Sequence, residues 1–225
     1  MPIVGHLKRS GVPTGEMERR LGDRLLPPLF LPVHLHQYHP NFSVPQYEDA
    51  LLEGIRQHVR PGDRVVVVGG GVGVTSTVAA RQAGSEGQVL VYEGSEEMSL
   101  ITRRTLAING VEKNTEVRHA VVGEAISVRG DDTEGSPSQV TPKDLPKCEV
   151  MELDCEGAEI AILENMQVRP GSILVESHGV HGAPTDEVRR ILRDKGYTVR
   201  RTQVAESRLE KTCIENDIKV LFATR

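Results

Sequence analysis

Apolar and polar positions follow two alternating patterns from about residue 46 onward. Short runs rich in Val, Ile and Leu predict buried β-strands, whereas segments with apolar residues three or four positions apart predict helices. Their alternation predicts βα units and a mostly parallel sheet with helices on both faces, a doubly wound α/β fold. The seven predicted strands are Arg64–Val68, Gln88–Tyr92, Glu116–Val122, Glu149–Leu153, Ser172–Glu176, Thr198–Thr202 and Ile218–Ala223.

Two segments show the helical spacing clearly. One covers Gln46–Val59, and the other begins near Thr185, which we expect to cap it, and stops at Gly196. Each places three apolar residues on one face: Leu51, Leu52 and Ile55 in the first, Val188, Ile191 and Leu192 in the second.

Two regions do not follow this pattern. Residues 1–45 are rich in Pro, Gly, Arg and His and predict an N-terminal arm or lid, which leaves 46–225 as the main domain. The polar segment Gly123–Asp144 predicts a long excursion between the third and fourth strands, in which a short hairpin is one possibility.

A glycine-rich turn follows the first strand in VVVVGGGVGVTS, Val65 to Ser76. A dinucleotide fold has the spacing G-x-G-x-x-G, but Val74 occupies the third glycine position counted from Gly69. Glycines here let a ligand lie against the backbone, and the helix that follows suits a carboxylate nearly as well as a phosphate. A tight turn without a ligand is the alternative. The predicted ligand-binding glycines are Gly69, Gly70, Gly71 and Gly73.

An acidic residue, Glu93, ends the second predicted strand and is followed by Gly94. In nucleotide-binding folds an acid at this place accepts hydrogen bonds from ribose hydroxyls, although a solvated surface acid is the other interpretation. Ser95 is expected to cap the next helix. Adenosine without phosphates, joined to an amino-acid carboxylate, would satisfy both the turn and Glu93. The sequence therefore predicts S-adenosyl-L-methionine as cofactor.

Five segments read in order resemble the class I S-adenosylmethionine-dependent methyltransferases, and among them the FkbM family. They are VVVVGGGVGVTS, VLVYEGS, TRRTLAINGV, MELDCEGAE and ILVESHG, and the most specific piece is LDCEGAEIAIL, Leu153 to Leu163. The resemblance covers about residues 46 to 225. It implies a Rossmann-like seven-stranded sheet of order 3-2-1-4-5-7-6 with the last strand antiparallel, and an O-methyltransferase acting on hydroxyls of sugars, glycans or small metabolites.

One position departs from the family pattern. The family usually has an acidic residue two places before the first glycine of the turn, where this chain has Val67. An acid there helps to position the cofactor, so Val67 puts the strength or the mode of cofactor binding in question.

Methyl transfer to a hydroxyl needs an aligned acceptor oxygen and a group that takes its proton. Asp154 and Glu156 follow the fourth predicted strand two residues apart, so they point to one side if the extended conformation persists. Glu176 and His178 repeat this spacing after the fifth strand. Ligands of open α/β sheets bind at the carboxyl ends of strands, so we expect the two pairs to converge.

Each of these residues has a second interpretation. Asp154 could contact the cofactor or cap a helix, and Glu156 could accept backbone amides at the turn. His178 titrates near neutrality and is the leading candidate for the base, but a histidine after a strand is often a packed residue. Ala120 and Val121 fall where related enzymes contact adenine, and both also fit a buried strand.

No metal site is predicted. The segment HLHQYH carries His34, His36 and His39, but neither a nearby carboxylate nor an established spacing completes a ligand set. Substrate recognition by a lid or plain surface histidines fit this segment better.

The amino-acid composition restricts the classes of binding partner that we expect. Lys and Arg number 27 against 32 Asp and Glu, for a net charge of −5, and the aromatics are four Tyr, three Phe and no Trp, so nucleic acid is a weak candidate. Three cysteines without a C-x-x-C pair fit reduced thiols. The N-terminus lacks the apolar region of a signal peptide and no window predicts a membrane span, so we expect a soluble, cytoplasmic protein.

Three other functions compete with this interpretation. An NAD-dependent oxidoreductase is disfavoured by the missing third glycine and by the lack of a Tyr-x-x-x-Lys pair. A nucleic-acid methyltransferase such as an RNA methyltransferase is disfavoured by the acidic balance, and basic residues around the cleft would revive it. A degenerate fold that binds a nucleoside without catalysis is favoured by Val67 alone.

Overall fold

The computed structural model describes residues 46–123 and 137–225. The predicted arm of residues 1–45, with His34, His36 and His39, lies outside the described residues, as does most of the predicted excursion. No helix within the described ranges is long and apolar enough to span a membrane.

The described residues form one eight-stranded sheet. In chain order the strands are β1 Arg64–Val68, β2 Gln88–Glu93, β3 Thr115–Val122, β4 Ser138–Val140, β5 Val150–Leu153, β6 Ser172–His178, β7 Thr198–Val204 and β8 Ile218–Thr224. Their spatial order is β4-β3-β2-β1-β5-β6-β8-β7. β8 runs antiparallel to both of its neighbours, and the other pairs are parallel.

Seven of these strands are the predicted ones, with ends that differ by at most two residues. The expected order 3-2-1-4-5-7-6 with an antiparallel last strand is confirmed once β4 is set aside. The expected strand count of seven is wrong, because part of the polar excursion adds β4 at the sheet edge. β4 pairs with β3 in parallel, so it is not one arm of a hairpin with β3.

Six helices in the described ranges flank the sheet: α1 Asp49–His58, α2 Val74–Ala83, α3 Glu96–Ile108, α4 Glu159–Asn165, α5 Thr185–Asp194 and α6 Glu210–Glu215. The predicted apolar faces of α1 and α5 are buried. Ser95 caps α3, with its hydroxyl accepting the Met98 amide at 3.3 Å. Gly196 follows the end of α5 with a φ of +85°, the left-handed conformation typical of a residue after a helix end.

The predicted cap by Thr185 is wrong. Thr185 is the first residue of α5 and Pro184 occupies the cap position. Because proline offers no side-chain acceptor, the Thr185 amide instead donates to Asp217, which precedes β8, at 2.8 Å.

The main apolar cluster lies between one face of the sheet and the helices α4 and α5. It includes Val66 and Val68 of β1, Met151 and Leu153 of β5, and Ile162 of α4. On the opposite face α1 packs against β6 and α2. Since strand residues alternate between faces, odd-numbered positions of β1 and even-numbered positions of β5 and β6 share that second face.

Candidate functional site

The glycine turn is shaped by a close approach of two strand ends. Gly69 has a φ of +97°, and a Cβ atom there would lie 1.7 Å from the backbone oxygen of Asp154. A Cβ at Gly73 would lie 3.1 Å from Cα of Thr102 in α3. These two glycines are therefore required by packing between backbones.

Gly71 differs from its neighbours. Its φ is +50°, yet a Cβ atom there would meet nothing within 4 Å. Gly70 is packed as well, since a Cβ atom there would lie 2.8 Å from Cγ1 of Val91, so Gly71 is the glycine of this turn that borders open space. Gly73 precedes α2 without a side-chain cap, so the first amides of α2 are available to a ligand.

Glu93 ties this turn to the start of α3. One carboxylate oxygen accepts the amide of Gly71 and the other accepts the amide of Ser95, each at 2.8 Å. Burial raises the pKa of Glu93, and the backbone amides of Ser95, Gly71 and Gly70 oppose that shift. A carboxylate has about four acceptor positions, so the three backbone amides leave room for a further donor.

The predicted pairs converge in part at the carboxyl ends of β5 and β6. Nε2 of His178 lies 3.5 Å from Oδ1 of Asp154 and 3.6 Å from Oε1 of Glu176. All three side chains are largely buried, and their facing atoms lie within 4.8 Å of one another. We call Asp154, Glu176 and His178 the acceptor cluster.

Glu156 is not part of this cluster. It lies at an exposed position with a φ of +50°, so the chain turns after Leu153 instead of remaining extended. The expectation that Asp154 and Glu156 continue the strand on one side is therefore wrong. Gly157, with a φ of +115°, makes the turn into α4.

Glu159, not Glu156, accepts the backbone amides at this turn. The sequence reasoning did not single out Glu159. Its fully buried carboxylate accepts the amides of Cys155 and Gly157, at 3.1 and 2.8 Å, and meets Nδ1 of His178 at 2.9 Å. Its position as the second glutamate of LDCEGAE was the available signal. Glu159 thus fixes both the turn and the ring of His178.

Burial and mutual repulsion shift the acids of the acceptor cluster. Burial raises the pKa of Asp154 to about 6, which His178 opposes, and burial together with the Asp154 charge raises the pKa of Glu176 well above its usual value. Burial alone would lower the pKa of His178, but Glu159 and Asp154 raise it. The cluster therefore holds protons more firmly than isolated side chains do.

A second acid missed by the sequence reasoning is Glu152. It lies directly beside Val67 in the parallel register of β1 and β5, so both side chains project from the same face. Glu152 is 1% exposed, neither carboxylate oxygen has a hydrogen-bond partner of good geometry, and burial raises its pKa to about 8, a shift that the Thr75 side chain opposes. A buried acid is thus present next to the place where Val67 lacks one.

The remaining predicted cofactor residues directly follow β2 or lie on β3. Ala120 belongs to the apolar cluster beneath the sheet, and Val121 is buried in the segment of β3 that pairs with β4. The backbone oxygen of Gly94 lies 3.0 Å from Nε2 of His119. A contact of Ala120 with a ligand would have to come from its backbone.

Acidic groups dominate the surroundings of the site. The charges that act most strongly on Asp154 are His178 and the carboxylates of Glu159, Glu156 and Glu93. The carboxylates of Glu48 and Glu206 act on Glu176 from the other side. This environment favours cationic ligands and disfavours polyanions.

Comparisons with known proteins agree with this fold. No protein-family model matches the chain, and no curated protein matches it. Among solved structures, the chain is similar to a ribosomal protein L11 methylase from Lactobacillus delbrueckii subsp. bulgaricus, with a TM-score of 0.54 and 14% identity over 82% of this chain and 80% of that one.

Two O-methyltransferase structures are similar to the same degree. One, S-adenosylmethionine-dependent and from Thermotoga maritima, has a TM-score of 0.53 and 16% identity over 85% of this chain and 69% of that one. The other, from Bacillus cereus in complex with SAH, has a TM-score of 0.51 and 15% identity over 93% and 97%. The chain therefore has the Rossmann-like fold of the class I methyltransferases.

Proposed function

We propose that the protein is an S-adenosylmethionine-dependent O-methyltransferase that acts on a hydroxyl of a sugar, glycan or small metabolite. One observation carries the proposal: the acceptor cluster stands at the carboxyl ends of β5 and β6, beside a glycine turn that Glu93 holds open at Gly71. A cofactor site and a proton-accepting site thus share one edge of the sheet, where open α/β sheets bind their ligands.

The residues of the first site fit the cofactor. Gly71 leaves room beside the backbone, the amides that begin α2 suit the amino-acid carboxylate, and the remaining acceptor capacity of Glu93 suits the ribose hydroxyls. The similar Thermotoga maritima protein is S-adenosylmethionine-dependent, and the Bacillus cereus structure is a complex with SAH, the demethylated product. When bound, S-adenosylmethionine supplies a methyl group on a positively charged sulfur.

Glu152 answers the question raised by Val67. In a parallel pair the side chains at matching register lie side by side, so the Glu152 carboxylate projects from the same face of the sheet as an acid at residue 67 would. We propose that Glu152 replaces that acid and stabilises the cationic part of the cofactor. This removes the main reason for assigning a non-catalytic fold.

The acceptor cluster provides the rest of the chemistry. Transfer to a hydroxyl needs the oxygen held in line with the methyl group and its proton accepted as the bond forms. Glu159 fixes the His178 ring through Nδ1, so Nε2 points toward Asp154 and Glu176. We propose that the acceptor oxygen binds there, within the space bounded by these three side chains.

The acidic surroundings also bear on the competing functions. Basic residues around the cleft would have favoured a nucleic-acid acceptor, and the groups that act on Asp154 and Glu176 are mainly carboxylates instead. The glycine turn with Val74 in place of a third glycine continues to disfavour NAD. Membership of the FkbM family, on the motif LDCEGAEIAIL, and a cytoplasmic location are further parts of this proposal.

A methyl-transfer assay tests the function. The chain is incubated with S-adenosylmethionine labelled in its methyl group and with separate panels of sugars, glycans, phenolic and aliphatic hydroxyl metabolites, RNA and protein. We expect label in a hydroxyl-bearing small molecule or glycan, and at least a 100-fold lower rate in Asp154→Asn with Glu116→Gln as the surface control. Transfer confined to RNA or protein would contradict the proposed acceptor class.

A further inference from the structure

The acceptor cluster contains a buried carboxylate oxygen without a hydrogen-bond partner. Glu176 is 9% exposed, and its Oε2 atom has no hydrogen-bond partner. Its other oxygen lies 3.6 Å from Nε2 of His178, beyond ordinary hydrogen-bond length. A buried carboxylate is costly unless it is paired or coordinates a metal ion, so this side chain indicates a missing ligand.

The spacing of the donors fits a shared cation. Donors at about 2.0 to 2.2 Å from one metal ion lie about 3 to 4.4 Å from each other. The separations from Nε2 are 3.5 and 3.6 Å, and all three donor atoms lie within 4.8 Å of one another. Side-chain movements of a few tenths of an ångström would bring the three donors to a common centre.

The orientation of His178 also fits the binding of a cation. Nδ1 of His178 meets the Glu159 carboxylate at 2.9 Å, which favours a proton on Nδ1 and leaves the lone pair of Nε2 directed at Asp154 and Glu176. Metal-binding histidines typically donate their second ring N–H to a carboxylate in this way.

We propose that Asp154, Glu176 and His178 bind one divalent cation of the kind that accepts mixed oxygen and nitrogen ligands, such as Mn²⁺. Two carboxylates and one imidazole leave coordination positions for water and for the acceptor hydroxyl. A bound cation lowers the pKa of an oxygen ligand, so it would assist loss of the acceptor proton. This catalytic use rests on the proposed function, whereas the binding of the ion does not.

Binding is tested on the full untagged chain by titration with Mn²⁺, with free ion followed by electron paramagnetic resonance. We expect one bound ion per chain in the wild type and in the surface control Glu116→Gln. In Glu176→Gln and in Asp154→Asn the affinity should fall by about 10-fold or more. Absence of binding by the wild type, or equal binding by Glu176→Gln, would overturn the proposal.

A second variant separates this site from the N-terminal histidines. The triple change His34→Asn, His36→Asn and His39→Asn should leave the Mn²⁺ affinity unchanged. Loss of binding in the triple variant with retention in Glu176→Gln would overturn the assignment. Thermal unfolding provides the folding check, because Mn²⁺ should raise the Tm of the wild type and leave that of Glu176→Gln unchanged.

The metal site and the proposed function can be tested independently of each other. Calorimetry with S-adenosylhomocysteine in the presence of EDTA reports the cofactor site alone. Cofactor binding without Mn²⁺ binding overturns only the metal site and returns His178 to the role of a general base. Mn²⁺ binding without cofactor binding supports the metal site and counts against the proposed function.

Discussion

The Glu93 carboxylate links two elements and one proposed ligand. Both of its oxygens accept backbone amides, those of Gly71 and Ser95, so its position is fixed before any ligand binds. A fixed acceptor loses little conformational entropy on binding, which makes it suitable for the hydroxyls of a ribose.

Glu93→Gln tests this assignment. The amide of glutamine places a donor opposite one of the two backbone N–H groups, so both the turn and the ligand contact weaken. We expect the Kd for S-adenosylhomocysteine to rise about 10- to 100-fold, or about 1.4 to 2.8 kcal/mol, with Glu97→Gln as the control. A 2′-deoxy analogue should lose affinity in the wild type and little in Glu93→Gln; unchanged affinity of the variant would rule out the ribose contact.

Gly71→Ala separates ligand binding from backbone strain. The added methyl group meets no protein atom within 4 Å, so it costs about 1 to 2 kcal/mol of left-handed strain but enters the proposed cofactor space. Gly196→Ala is the matched control, since Gly196 also has a positive φ and open space around its Cβ position.

We expect similar losses of unfolding free energy in both glycine variants. The affinity for S-adenosylhomocysteine should fall at least about 10-fold only in Gly71→Ala. Equal affinities in the two variants would mean that the cofactor does not lie against Gly71.

The residues of the site were predictable to different degrees. Asp154, Glu176 and His178 could be brought together because parallel strands end at one edge of the sheet. Glu159 was missed because its role depends on the left-handed turn at Glu156, which no periodic pattern reveals. Glu152 was missed because its meaning depends on the register of β1 with β5.

At the scale of elements, the first turn of α5 is stabilised by Asp217, a residue distant in the sequence. The Asp217 carboxylate accepts both the amide and the hydroxyl of Thr185 at 2.8 Å and pairs with Lys219. Burial acts to raise the pKa of Asp217, but these bonds from Lys219 and Thr185 outweigh it and hold the pKa below its usual value. This carboxylate joins α5 to the start of β8.

Asp217→Ala should lower the free energy of unfolding by about 1 to 2 kcal/mol at pH 7, as expected for a lost helix cap. Asp186→Ala, at a highly exposed position of the same first turn, should change it by less than about 0.5 kcal/mol. Because the folded pKa of Asp217 is lowered, its contribution is complete above about pH 4 and is lost as the pH falls. Urea unfolding at pH 7 and pH 3 should therefore show a smaller difference between wild type and Asp217→Ala at pH 3.

Strands were predicted better than their connections. The largely apolar sequences of β1, β2 and β5 leave few alternatives because both faces of a central parallel strand are buried. β4 has only three residues and a polar sequence, Ser138–Val140, so pairing with β3 alone defines it. Asp217, the acceptor that caps α5, lies 32 residues along the chain from the Thr185 amide that it accepts. Local capping rules do not cover such a separation.

At the scale of the whole molecule, the three cysteines are free thiols in the described residues. Cys148 and Cys213 are buried, and burial raises the pKa of Cys148 to about 12 and that of Cys155 well above its usual value. The thiolate is the reactive form of cysteine. We therefore expect at most about one of the three thiols per chain to react with Ellman's reagent within minutes in the folded protein at pH 7. All three should react in urea; rapid reaction of all three in buffer would contradict the described packing.

The central claim is that this methyltransferase fold retains a working cofactor site although Val67 replaces the usual acid. Isothermal titration of the purified chain with S-adenosylmethionine, S-adenosylhomocysteine and NAD tests it most directly. We predict binding of both sulfur nucleosides with Kd values on the order of micromolar, weakened in Gly71→Ala and in Glu152→Gln, and no binding of NAD. Binding of NAD alone, or of none of the three, would contradict the claim.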